Sequence, residues 1–148
     1  MHSPTYRKKY AEFLKIDFPR IPFTDDEKIF IQLSKLGNQL MNVHLLEQDT
    51  DFEYGEFIGN GNNVVERPIY LMDKKIGKLY INKTQCFTNI PQAVYNFYIG
   101  GYQVLDKYLK DRKGRAIGLL EVENIKRTAG ALAFTINQMK KIDTLTKN

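Results

Sequence analysis

Apolar residues recur with a helical period at both ends of this chain and with a period of two in between. That switch constrains the fold more than any other feature. In "TDDEKIFIQLSKLGNQLMNVHLLE", residues Ile29, Leu33, Leu36, Leu40, Val43 and Leu46 fall on one helical stripe. Thr24 and Glu27 have the spacing of a capping box, which predicts a helix starting at Thr24. Towards the C-terminus, Ile125, Ala129, Leu132, Ile136 and Met139 make a second stripe, predicting a helix over about 122–142. A third helix is predicted in "SPTYRKKYAEFLK", with Ser3 as N-cap, Pro4 in the first turn, and Tyr6, Tyr10, Phe13 and Leu14 on one face. The prolines of "DFPRIPF" end it, and Phe18, Ile21 and Phe23 of the extended segment are expected to plug into the core.

From Phe52 to about Ile90 the pattern is that of strands. "FEYGEF", "VVERPIYLM" and "KIGKLYIN" are predicted strands, "GNGNN" and "DKK" turns, and "VYNFYIG" a further strand. Gly100 and Gly101 are expected to turn that strand sharply into a short helix over about 103–111, with Gly114 as its C-cap. Helices, then a small mainly antiparallel sheet, then helices make an α+β fold. At 148 residues the chain is expected to form a single domain over 1–148. No apolar run approaches the length of a membrane span and the N-terminus lacks a signal-peptide pattern. The single cysteine, Cys86, cannot form an internal disulfide, so a cytoplasmic location without membrane contact is expected.

Chemistry-bearing motifs fail on spacing. "GNGNN" is followed by a strand where a dinucleotide fingerprint needs a helix, and "IGGYQVLDK" lacks the Gly-Lys-Ser/Thr of a phosphate loop. "DTDFEYGE" alternates acidic residues, yet Tyr54 stands where a calcium loop requires glycine. His2 and His44 have no ligand partners at zinc spacing, and Cys86 carries no nucleophile motif. Neither a catalytic centre nor a cofactor or metal site is expected.

What remains is positive charge. The net charge is +5, and residues 106–115 hold Lys107, Lys110, Arg112, Lys113 and Arg115 against Asp106 and Asp111. Cations at a helix C-terminus suit the helix dipole in any protein. Five within nine residues exceed that need, so Lys110, Arg112, Lys113 and Arg115 are candidate contacts to the phosphates of a nucleic-acid backbone. Lys74, Lys75 and Lys78 at a hairpin tip, and Arg7, Lys8 and Lys9, are lesser candidates. Base reading would fall to Asn60, Asn62, Asn63, Arg67 or Gln85, whose side chains can pair with purine edges.

Three stretches carry a family likeness: "HSPTYRKKYAEFLKIDFPRIPF", "YIGGYQVLDKYLKDRKGR" and "AGALAFTINQMKKID". From His2 to about Asp143 the chain resembles the C-terminal specificity (target-recognition) domain of type ISP-like restriction–modification enzymes, relatives of adenine-specific DNA methyltransferases often described as predicted helicases. The resemblance implies a non-catalytic, bacterial DNA sequence-recognition module, the distal part of a target-recognition domain. The parent would be an S-adenosylmethionine-dependent adenine methyltransferase, and the module's partners would be DNA and that methyltransferase core. The parent's Asn-Pro-Pro-Tyr/Phe motif is absent, and the chain is expected to be a fragment or a truncated reading frame. Tyr108 stands where the family pattern has Trp, a change that keeps a ring on the same face. The resemblance implies no individual base contact. It leaves the basic end either as a DNA edge or as a docking surface for the methyltransferase or helicase core.

Overall fold

The computed structural model describes residues 3–20, 23–45 and 53–146. The elements are α1 (Pro4–Lys9), a 3-10 turn (Phe13–Lys15), α2 (Glu27–His44), β1 (Glu56–Ile58), β2 (Ile69–Asp73), β3 (Ile76–Tyr80), β4 (Cys86–Thr88), α3 (Gln92–Tyr95), β5 (Tyr98–Ile99), β6 (Tyr102–Gln103), α4 (Val104–Lys110) and α5 (Leu119–Thr146). This is the expected α+β architecture, with helices at both ends and a small antiparallel sheet between them. The chain divides into two compact units, one of residues 1–48 with 134–148 and one of residues 49–133.

In the first unit, Ser3 caps α1 by accepting the Tyr6 N–H at 3.2 Å, and Pro4 occupies the first turn as the sequence predicts. The Asp143 carboxylate on α5 then clamps this start, accepting from Ser3 Oγ at 2.6 Å, Thr5 N at 2.9 Å and Thr5 Oγ1 at 2.7 Å. Helix α2 begins two residues later than its predicted capping box. The Asp26 carboxylate accepts from Lys28 N at 2.8 Å and Ile29 N at 3.2 Å, satisfying two orphan donors at once, and Thr24 Oγ1 instead accepts the Asp26 N–H. Leu40 and Val43 on the predicted stripe are buried, as is Met139 of α5, and Gln138 Nε2 of α5 donates to Gln39 Oε1 of α2 at 2.7 Å. Phe18 and Phe23 correct the sequence reading: they are 89% and 86% exposed. The prolines force an extended backbone but do not aim its rings, and the packing is closed by aliphatic residues of α2 and α5 instead. Ile21 and Leu46 lie outside the described residues.

In the second unit the strand order is β1-β4-β3-β2, every pair antiparallel. Leu79 of β3 lies opposite Phe87 of β4, and both are fully buried. Burying a pair of this size is worth roughly 1.5–3 kcal/mol per side chain. Ile90, Leu105, Leu109 and Ile125 complete the core, the last from the predicted α5 stripe. β2 starts at Ile69 because Pro68 has no N–H to donate to a ladder; Val64 and Val65, expected in that strand, make isolated bridges elsewhere. β4 was not among the predicted strands.

"VYNFYIG" also departs from expectation. Pro91, extended at ψ 145°, opens the single turn of α3, which buries Val94, and only Tyr98 and Ile99 pair as strand. Burial of one side chain has overridden the β propensity of the stretch. Gly100 and Gly101, with φ of 58° and 84°, do not lead a strand into a helix. They close a two-residue hairpin that pairs Ile99 with Tyr102, as two successive positive φ values require. Helix α4 follows, ending at Asp111; Gly114 is not its cap but lies three residues further on at φ 81°.

Candidate nucleic-acid interface

The basic run after the double glycine is divided by its own geometry. Lys107 Nζ pairs with Asp111 at 2.9 Å and Lys110 Nζ with Asp106 at 2.6 Å, both at i,i+4 spacing on α4. The Asp111 hydrogen bond raises the Lys107 pKa above its ordinary value. The Arg112 guanidinium lies 3.5 Å over the Tyr108 ring and donates to the Tyr108 carbonyl at 3.0 Å. Thus Lys107, Lys110 and Arg112 are engaged by the helix that carries them. Lys113 and Arg115 are exposed, and neither makes an ion pair among the described residues. Arg115 reaches only the Asp111 carbonyl, at 3.4 Å.

Backbone bonds fix where these two cations stand. Val65 N donates to Arg115 O at 3.0 Å, Gly114 N to Val65 O at 2.7 Å, and Ile117 N to Asn63 O at 2.9 Å. The segment 113–117 is therefore sewn to the end of the "GNGNN" loop. That loop is in turn locked to residues 82–85. Gln85, 2% exposed, accepts from Asn63 N at 2.9 Å and from Asn82 Nδ2 at 3.0 Å, and donates to Asn63 Oδ1 at 2.7 Å. Asn82 Oδ1 accepts from Thr84 N and Gln85 N, closing the neighbouring turn. The approach is too close for side chains at two loop positions. A Cβ on Gly59 (φ 100°) would stand 2.0 Å from the Thr84 carbonyl oxygen, and one on Gly61 would stand 2.5 Å from Gln85 Oε1.

Three loops (59–67, 82–85 and 111–117) thus form one edge of the second unit. It carries Lys113, Arg115, Lys83 and Arg67, all exposed, together with the exposed amide of Asn60. The only carboxylates in these segments are Glu66 and Asp111, the latter already paired. Such an edge can hold anions through mobile cations on a fixed backbone.

The remaining sequence candidates are placed elsewhere. Lys74 and Lys75 form the β2–β3 turn at φ 47° and 80°, at the far end of β3 from Asn82, roughly 17 Å away along a five-residue strand. Lys78 is paired with Asp73 at 3.1 Å. Arg7, Lys8 and Lys9 are on α1 in the other unit. Of the suggested base readers, Gln85 and Asn63 are spent on each other, and Asn62 Oδ1 accepts the Val64 N–H at 3.0 Å. Those three are structural. Lys83 was missed by the sequence reading: a lone lysine in "INKTQ" carries no signal until strand pairing brings its turn beside the "GNGNN" loop.

Cys86 is buried, which pushes its thiol pKa up and away from nucleophilic use. Among the described residues no group of three or more His, Cys, Asp or Glu could hold a metal ion, and no helix is long and apolar enough to cross a membrane.

No curated protein sequence matches the chain. Two solved structures share its fold over 99% of its length. One is a nuclease-deletion mutant of the Type ISP restriction–modification enzyme LlaGI in complex with a DNA substrate mimic, at TM-score 0.65 and 19% identity. The other is the ATP-dependent Type ISP restriction–modification enzyme LlaBIII bound to DNA, at TM-score 0.63 and 20% identity. The chain spans 13% and 10% of those two chains. The model of the Type ISP C-terminal specificity domain matches residues 1–141, and the chain belongs to that family.

Proposed function

We propose that this chain is the DNA sequence-recognition module of a restriction–modification adenine methyltransferase and has no catalytic activity of its own. In this reading it grips the phosphates of double-stranded DNA through Lys113, Arg115 and Lys83. A separate methyltransferase core carries S-adenosylmethionine and transfers the methyl group. Membership of the specificity-domain family supports the role. The observation that carries the contact surface is the loop edge, where cations that make no ion pair among the described residues sit on a backbone sewn by Val65, Gly114 and Ile117. Lys110 and Arg112, half of the cations first suggested on this run, are secondary because Asp106 and Tyr108 hold them.

Titration of the chain against a fixed duplex at several salt concentrations tests the proposal. Each phosphate neutralised contributes about 0.9 to the slope of log affinity against log salt. Lys113→Ala with Arg115→Ala should flatten that slope by nearly 2 and weaken binding equally for all sequences. An unchanged slope removes these residues from the interface.

A second reading, docking on the methyltransferase or helicase core without DNA contact, is favoured by one feature. Phe13, Ile16, Phe18 and Phe23 of the first unit are all at least 70% exposed, more apolar surface than a free module needs. It predicts no duplex binding at low salt and association with a separately produced core.

A further inference from the structure

We propose that Asn60 reads an adenine edge in the major groove of duplex DNA. The proposal rests on the DNA-recognition reading above and adds to it the residue that tells one sequence from another. Phosphate contacts from Lys83, Lys113 and Arg115 position the module but carry no sequence information. Discrimination needs a side chain whose hydrogen-bonding groups are free to meet a base edge, and an asparagine carboxamide, with a donor and an acceptor side by side, pairs bidentately with adenine N6 and N7.

The loop edge leaves one carboxamide in that state. Gln85, Asn63 and Asn82 form a closed network, and Asn62 holds the Val64 N–H. Asn60 is exposed, and its carboxamide makes no hydrogen bond among the described residues. Glycines flank it on both sides, so no neighbouring side chain keeps it from a groove floor. Its loop is nevertheless anchored: Asn63, three residues on, is bonded twice to Gln85, and Gly59 and Gly61 pack so close to Thr84 and Gln85 that neither position has room for a Cβ. A held loop with an unspent amide loses little freedom on binding, which is what a reader requires. Arg67, also exposed, stands two residues past the sewn Val65; a guanidinium carries donors only and would select guanine, not adenine.

Enrichment of bound duplexes from a randomised library, using the 148-residue chain and its variants, decides the matter. The unaltered chain should enrich a motif containing adenine. Asn60→Ala should lower discrimination at that position by about 10- to 100-fold while leaving the salt slope on a fixed duplex unchanged. Asn60→Asp should move the preference towards cytosine, whose N4 donates to a carboxylate. An unchanged motif in Asn60→Ala overturns the assignment, as does a chain that binds duplexes but enriches none. Failure to bind any duplex would overturn the DNA reading itself, a distinct result. Lys113→Ala with Arg115→Ala should do the opposite of Asn60→Ala, flattening the slope and keeping the motif.

Discussion

Replacing Gln85 by Leu asks whether the amide network, and not the chain path alone, fixes the loop edge. Leu fills nearly the same volume, so packing is largely conserved and the change is one of hydrogen bonding. The substitution removes three bonds: Gln85 Oε1 from Asn63 N and from Asn82 Nδ2, and Gln85 Nε2 to Asn63 Oδ1. Asn82 Nδ2 keeps its bond to the Val64 carbonyl at 3.1 Å, so two groups are orphaned, both on Asn63. A fully buried orphan costs about 1–3 kcal/mol. Asn63 is half-buried, so the lower end applies to each, giving a loss of about 2 kcal/mol. For a chain of this length that lowers the melting temperature by about 4–8 °C. Amide exchange localises the effect: the Asn63 N–H should exchange about 30-fold faster, the same free energy read as an opening constant. A melt within about 1 °C of the parent protein, with Asn63 exchange unchanged, would refute the reasoning. The loop would then be held by the glycine contacts and the 113–117 seam without help from Gln85.

Two further outcomes follow from individual groups. Tyr108 Oη is buried with no hydrogen-bond partner among the described residues, so Tyr108→Phe should leave the denaturation midpoint unchanged or raise stability by up to about 1 kcal/mol, since the Arg112 stack needs only the ring. A loss of more than about 1 kcal/mol would mean that the hydroxyl is bonded in solution. Burial, followed by the negative charge of the nearby Asp106 carboxylate, which accepts a hydrogen bond from the Tyr95 hydroxyl, pushes Tyr95 up to about 12 from 10.0. The unfolded chain therefore ionises first, and the stability due to this group is complete below pH 10 and is lost as pH rises towards 12. Tyr95→Phe should flatten the decline in stability over that window, measured by denaturant unfolding; an unaltered decline would assign it to lysine pairs such as Lys78–Asp73.

The parts of the fold governed by local rules were legible in the sequence. Ser3 and Pro4 open α1 because a cap and a first-turn proline act within one turn, and Ile125, Ala129 and Leu132 face the core because a stripe of that period has one face to bury. Non-local decisions were not legible. Whether Val94 joins a strand or a helical turn depends on what it buries, and whether Phe18 enters a core depends on whether one is left open for it. The candidate site divides the same way. The i,i+4 spacing of Asp106 with Lys110 and of Lys107 with Asp111 stands in the sequence, so their pairing was within reach of a helical reading. The seam between Val65 and Gly114, and the proximity of Lys83, needed the fold.

The charge run therefore holds two populations that sequence proximity conceals. Lysines on a helix find carboxylates one turn away. Such exposed pairs add only about 0–1 kcal/mol of stability, yet each reduces the charge that the surface offers to a polyanion. Cations on a loop have no neighbour at that spacing, and a loop normally loses by mobility what it gains in free charge. Here the mobility is removed without using the side chains: the 113–117 segment is anchored through its own N–H and C=O groups to Asn63 and Val65. Lys113 and Arg115 thus remain positioned and free of ion pairs among the described residues, while Lys107 and Lys110, in the last turn of α4, are positioned and committed. Backbone anchoring of charged loops is what the proposed DNA contact would require, a fixed register that still presents unpaired cations. The same logic explains why buried Gln85, not a salt bridge, locks the neighbouring loop: a neutral amide network rigidifies without neutralising the edge it supports.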